Sequence, residues 1–122
     1  MALNLREGSA GVVHVTAASA RTSGSVVVEE GWHGFATTDA ASGAVYALDC
    51  RQGIKYEIDK IGAEAKGDVV YITVADATLS LSGAVGKAPF AKVVEAEGGT
   101  TYGTPTGKTL VALLPQAEAQ AA

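Results

Sequence analysis

The amino-acid sequence predicts a mainly β protein: a single small β-barrel or β-sandwich of about eight or nine short strands. An extended N-terminal arm over 1–8 precedes the β domain over 9–115, and a short flexible Ala/Gln-rich tail over 116–122 follows it. Three observations carry this. The 122 residues hold 15 glycines, 14 valines and 11 threonines against 3 prolines, the mixture expected of many short strands joined by tight turns. The apolar residues fall in segments of five to seven punctuated by glycine, with no sustained 3.6-residue period. No amphipathic crossover helix is available between any two of these segments, which excludes an α/β fold.

Taken in order, the expected strands are Gly11–Thr16, Ser25–Glu29, Trp32–Thr37, Ala44–Arg51, Gly53–Asp59, Val69–Val74, Thr78–Ser82, Pro89–Ala96 and Lys108–Leu114. Within Gly53–Asp59, Ile54, Tyr56 and Ile58 alternate with Lys55, Glu57 and Asp59, so one face is expected to be buried and the other wet. Val69–Val74 and Lys108–Leu114 are nearly continuous in apolar residues, a pattern expected of strands covered on both faces, by core on one side and a partner subunit on the other. Glu30-Gly31 is placed to close a hairpin, Ala41-Ser42-Gly43 links two strands, and Ala75-Asp76-Ala77 joins Val74 to Thr78 at hairpin length. Bracketed by Gly62 and Gly67, Ala63–Gly67 has room for one helical turn at most. Glu97–Gly107, with four glycines and Pro105, is expected to be a mobile loop. The tail from Gln116 is too short for a stable isolated helix and reads as frayed or disordered.

Composition and charge narrow the function classes. Of the 48% hydrophobic residues, 23 are alanine, and only 35 are larger apolar groups, too few for a helical bundle or a roomy ligand pocket. A net charge of −4 argues against a binder that relies on neutralising nucleic-acid phosphates. Mean hydropathy is +0.21, yet alanine and valine produce it, and no run approaches the roughly 18–20 apolar residues of a spanning helix, so no membrane is expected. No signal-peptide hydrophobic region stands in 1–9, and the single Cys50 fits a chain folded in a reducing compartment.

The motifs with chemical potential are few. Gly103-Thr104-Pro105-Thr106-Gly107-Lys108-Thr109 ends like a phosphate-binding loop, but only three residues separate the first glycine from Gly-Lys where four are needed, and a strand-like segment follows instead of a helix. It reads as a turn before the last strand. Cys50, His14 and His33 supply the inventory of a nucleophilic triad without its signature, and His14 alternates with Val13 and Val15 as an exposed strand residue would. Two histidines and one cysteine do not make a zinc site, and Glu29-Glu30 and Glu95/Glu97 read as solvated turn charges. The chain is therefore read as a non-enzyme, with no catalytic residues, cofactor or metal. Trp32-His33-Gly34-Phe35 is the one dense aromatic spot, either an interface anchor or a core plug.

The order Thr22-Ser23-Gly24 before Val26–Val28, Gly34-x-Ala36, Gly43 before a strand, a Lys60-bearing segment, Gly67-Asp68-Val69-Val70-Tyr71, then strands at Ala91–Ala96 and Leu110–Leu114, resembles the small capsid cement (head decoration) proteins of tailed bacteriophages. The resemblance covers roughly residues 8–114; the glycine frequent in that family's late strand is replaced here by Gly86 ahead of Pro89-Phe90. It implies a structural virion protein, made in the bacterial host cytoplasm and bound to the outer surface of the capsid. There it would bridge neighbouring copies of the major capsid protein and stabilise the expanded head, as a homotrimer at threefold and local threefold positions, without nucleic acid or membrane. Candidate subunit or capsid contacts are Leu3, Leu5 and Arg6 in the arm, together with Trp32, Phe35 and Tyr102. So few bulky residues in so many strands also imply that much stability comes from contact with neighbouring subunits. The alternative is a small β-barrel module for a carbohydrate or host-surface ligand, which a common exposed face of Trp32, Tyr46 and Tyr102 would favour.

Overall fold

The computed structural model describes residues 11–120. It has nine strands: β1 (Val12–Thr16), β2 (Val26–Glu29), β3 (Trp32–Ala36), β4 (Val45–Asp49), β5 (Lys55–Asp59), β6 (Val69–Thr73), β7 (Leu79–Ser80), β8 (Lys87–Glu95) and β9 (Lys108–Leu113). They form two antiparallel sheets, a four-stranded one in the order β1-β4-β3-β2 and a five-stranded one in the order β5-β9-β8-β6-β7. This is the small all-β barrel or sandwich that the composition predicts, and each expected strand is present to within two residues at most ends.

Two tight turns form as their residues require. Glu30 and Gly31 both take positive φ, 51° and 86°, the geometry of a type I′ turn, and this pairs Glu29 with Trp32 in the β2–β3 hairpin. Ala77, at φ 62°, closes the β6–β7 turn, where Thr73 donates to Thr78 at 2.8 Å. The stretch from Ala63 to Gly67 contains no helical turn.

A core cluster joins the sheets. Phe35 of β3 packs with Ile58, Val70, Ile72, Phe90, Val111 and Leu113 of the larger sheet, with Val26 and Val28 against it. Because side chains alternate along a strand, Val27 and Ala36 project from the opposite face of β2–β3, where they join Val15, Ala17, Tyr46, Leu48 and Cys50 in a second cluster. In β5 the expected alternation holds: Ile58 is buried, Tyr56 half-buried, and Lys55, Glu57 and Asp59 exposed. Within the chain, the core covers one face of β6 and β9. Val70, Ile72, Thr109, Val111 and Leu113 are buried, whereas Val69, Tyr71, Leu110 and Ala112 are half-buried.

β8 changes the phase of its buried face at one register shift. Val70 pairs with Ala91 and Tyr71 with Pro89, so Phe90 is the extra residue of a bulge, and the neighbours Phe90 and Ala91 are both buried. A second shift lies between Val93 and Glu95, both of which are buried.

Two irregular segments carry hydrogen bonds that the sequence does not indicate. The expected mobile loop at Glu97–Gly107 is bonded along its length: Gly98 N–H donates to Thr104 O at 2.9 Å, Thr104 N–H to Gly99 O at 3.1 Å, and Gly107 N–H to Glu97 Oε1 at 2.9 Å. The expected flexible tail is docked through Gln120, because the Gln116 side chain and the backbone of Ala117 and Gln120 find partners on β3 and β8.

Candidate functional site

The sequence-predicted contact residues do not form one patch. Leu3, Leu5 and Arg6 lie outside the described residues. Phe35 is 1% exposed, and its ring is committed to the core, where it stacks on Tyr56. Trp32 is 40% exposed, which rules out the core-plug reading; it stands at the lip of a shallow depression of about 260 Å³ with Gly31, Gln116, Ala117 and Glu118. Tyr102 is 56% exposed at the tip of the loop after β8. Tyr46, by contrast, is buried and donates to Glu29 Oε1 at 2.9 Å, so Trp32, Tyr46 and Tyr102 share no exposed face. Val45 on β4 and Val85 before β8 are also exposed, and sequence reasoning singled out neither.

A cleft of about 630 Å³ is lined by β2, β5 and the β6–β7 hairpin. Among the described residues β2, β5 and β7 are all sheet edges, so this one cleft collects three edge strands. Its floor is apolar, from Val26, Phe35, Ile58, Ile61 and Leu79, and its rim is charged, from Glu57, Asp59, Lys60 and Lys108. Lys108 pairs with Asp59 at 2.5 Å, and Lys60 pairs with Glu97.

The buried ionisable groups have structural partners. Glu29 and Glu95, expected to be solvated turn charges, are 4% and 8% exposed. Glu29 takes a two-pronged contact from Arg21, at 2.9 and 3.0 Å, and bonds from Tyr46 O–H and Ala18 N–H, fixing the segment between β1 and β2. Burial works against its ionisation, but these donors outweigh it and hold the carboxyl below its usual range, while burial and Glu29 push Tyr46 up to about 12. Asp49 accepts from Arg51 Nε at 2.9 Å and from Tyr56 O–H at 2.5 Å, and the Arg51 bond leads the effects that take it down to about 2. Glu64 caps Ile61 and Gly62 N–H and accepts from Thr109 Oγ1. Glu95 accepts from Thr104 Oγ1 at 2.7 Å and from Tyr102 N–H, which anchors the 96–107 loop.

The nucleophile inventory is placed as follows. Cys50 is buried beside Leu48 O, and burial raises its thiol to about 11. His14 is exposed on β1, and His33 is buried against Phe90 with Nε2 3.1 Å from Ala117 O. Gly103–Gly107 forms turns and Lys108 opens β9, so the phosphate-loop-like residues lead into a strand. Among the described residues, no group of three or more His, Cys, Asp or Glu is arranged to hold a metal ion, and no helix is long and apolar enough to cross a membrane. Set against protein-family models, curated proteins and solved structures, the chain matches none of them.

Proposed function

We propose that this chain is a capsid cement protein: a structural virion component that binds the outer surface of a tailed-phage head and stabilises it by bridging neighbouring capsomers. The observation that carries the proposal is how the side chains are distributed. Glu29, Asp49, Glu64, Glu95 and Cys50 lie inside, while Trp32, Val45, Val85, Tyr102 and three sheet edges around a cleft of mixed polar and apolar lining face outward. Such a surface suits work done by burying area against other proteins. The resemblance of residues 8–114 to the cement family supports the same reading, and with it the homotrimer at threefold positions, the major capsid protein as partner and synthesis in the bacterial cytoplasm. A ligand that binds only the assembled, expanded shell shifts the equilibrium away from rupture, and trimeric attachment raises avidity above one protomer's affinity.

The test is the solution mass of the purified protein, followed by co-sedimentation with expanded heads that lack their decoration protein. A trimer that sediments with heads, saturates, and raises their rupture temperature is the expected result. A monomer that never associates with heads overturns the proposal. A second reading, a module for a carbohydrate or host-surface ligand, draws on the Trp32 indole beside Gln116 and Glu118. Saturable quenching of the single tryptophan by a glycan would favour it.

A further inference from the structure

His33 fastens the C-terminal segment to the β domain. Its position in the two-residue hairpin directs its N–H and C=O away from β2. Pairing of β3 with β4 begins only at Phe35, so this backbone edge would be bare. The Gln116 side chain fills it like a short strand: Oε1 accepts from His33 N–H at 3.0 Å, and Nε2 donates to His33 O at 2.6 Å. The imidazole adds a third bond from Nε2 to Ala117 O. Farther on, Gly86 N–H donates to Gln120 O at 3.0 Å and Gln120 N–H to Lys87 O at 2.9 Å.

The ring has room for only one protonation state. Donation to a carbonyl oxygen fixes the proton on Nε2, and Nδ1 is then a buried nitrogen with no hydrogen-bond partner among the described residues. The ring lies against Phe90, with centroids 5.6 Å apart, and shares a depression with the apolar Val28 and Val74 and with Ala117 and Ala119 of the tail. Among the described residues, Glu118 is the one ionisable side chain lining the same depression, and it is exposed; Lys87 Nζ is turned to Ser80 Oγ, and the Arg21–Glu29 pair belongs to the opposite face of β2–β3. A second proton would place a charge in this interior, whereas undocking the tail gives it to water.

We propose that His33 and Gln116 form an acid-sensitive latch: protonation of His33 releases residues 116–120 from the β domain and uncovers Val28, Val74 and the flank of Trp32. The docked state favours the neutral ring, so docking is complete above the ordinary histidine range and is lost as pH falls below about 6.5. Burial, which lowers the affinity of this ring for a proton, acts in that direction. One linked proton changes the docking equilibrium by up to about tenfold per pH unit.

The experiment is amide hydrogen exchange by NMR on the full chain, read at His33, Gly86 and Gln120 between pH 7.5 and 5 and corrected for the intrinsic exchange rate. Protection at all three should fall together with acid, by up to about tenfold per unit, while Val70 and Val111 in the core stay protected. His33→Gln, a neutral donor to Ala117 O, should remove the dependence, and Gln116→Ala should leave the seam open at every pH. Protection that ignores pH in the wild type, or the same dependence in His33→Gln, overturns the latch. Should His33→Gln not fold, the wild-type ring titration decides: a midpoint below about 6.5 supports the proposal, and one at or above it overturns it.

Discussion

Tyr56 of β5 lies flat on Phe35 of β3, with ring centroids 3.8 Å apart and planes inclined by 12°. Its hydroxyl also donates to buried Asp49 Oδ2 at 2.5 Å. One side chain thus joins the two sheets through an apolar face and a polar tip. Tyr56→Phe keeps the stack and removes the donor, so it should lower unfolding stability by about 1–2 kcal/mol. Tyr56→Ala should cost about 3 kcal/mol or more. Urea unfolding followed by tryptophan fluorescence measures both, and equal losses would mean that the stack contributes nothing.

Acid should destabilise the fold in a defined window. Asp49 titrates at about 2 in the folded chain against an ordinary 3.8, so its contribution is complete above about pH 4 and is lost as pH falls toward 2. For Asp49 alone this is roughly 2 kcal/mol. Glu29, Glu64 and Glu95 are shifted in the same direction and add to the loss. Urea midpoints at pH 7, 4 and 2.5 should decline, and Asp49→Asn should decline less steeply while starting lower.

Glu29→Ala removes the acceptor for Arg21, Tyr46 and Ala18 together. Breaking one side of a buried pair costs about 3 kcal/mol or more. The segment from Ala18 to Gly24 should become the first site of limited proteolysis, and a cleavage pattern identical to wild type would contradict the role given to Glu29.

Gly34→Ala should be among the most damaging small substitutions, because its methyl would lie 2.3 Å from Asp49 O and 3.1 Å from Cys50 Sγ. Gly67→Ala meets no atom within 4 Å and carries only the strain of φ 93°. The expected losses are more than 3 kcal/mol for the first, since backbone must move, and about 1–2 kcal/mol for the second. Thermal unfolding of the pair should preserve that order.

Trp32→Ala and Tyr102→Ala separate surface function from folding. Both rings are exposed, so each change should alter stability by less than about 1 kcal/mol. On heads, occupancy at a fixed protein concentration should fall at least tenfold for a ring that anchors the interface. Unchanged occupancy for both variants would place the contact elsewhere.

The nine strands were legible because valine, isoleucine and glycine report the backbone directly through alternation and positive φ. What escaped was the polar interior. Glu29 and Glu95 resemble turn charges when read beside their neighbours Glu30 and Glu97, yet each stands two residues after a buried valine, Val27 or Val93, and so shares its face. That phase was a usable signal; their partners Arg21, Tyr46 and Thr104 were not readable, because they arrive by tertiary folding. Phe35 was equally ambiguous, since an aromatic anchor and a core ring have one sequence appearance. The tail lacks any apolar period, and the Gln116 side chain that docks it imitates backbone, which no periodicity records.

The last strand, β9, is central in its sheet, between β5 and β8. The smaller sheet draws on residues 12–49 alone, and so can assemble while the rest of the chain is still being synthesised. Its companion cannot, because β5 has no neighbour until residues 108–113 leave the ribosome. During that interval β5 is made but has no strand neighbour, so translation slowed after Asp59 would lengthen the period in which the nascent chain is open to wrong pairing.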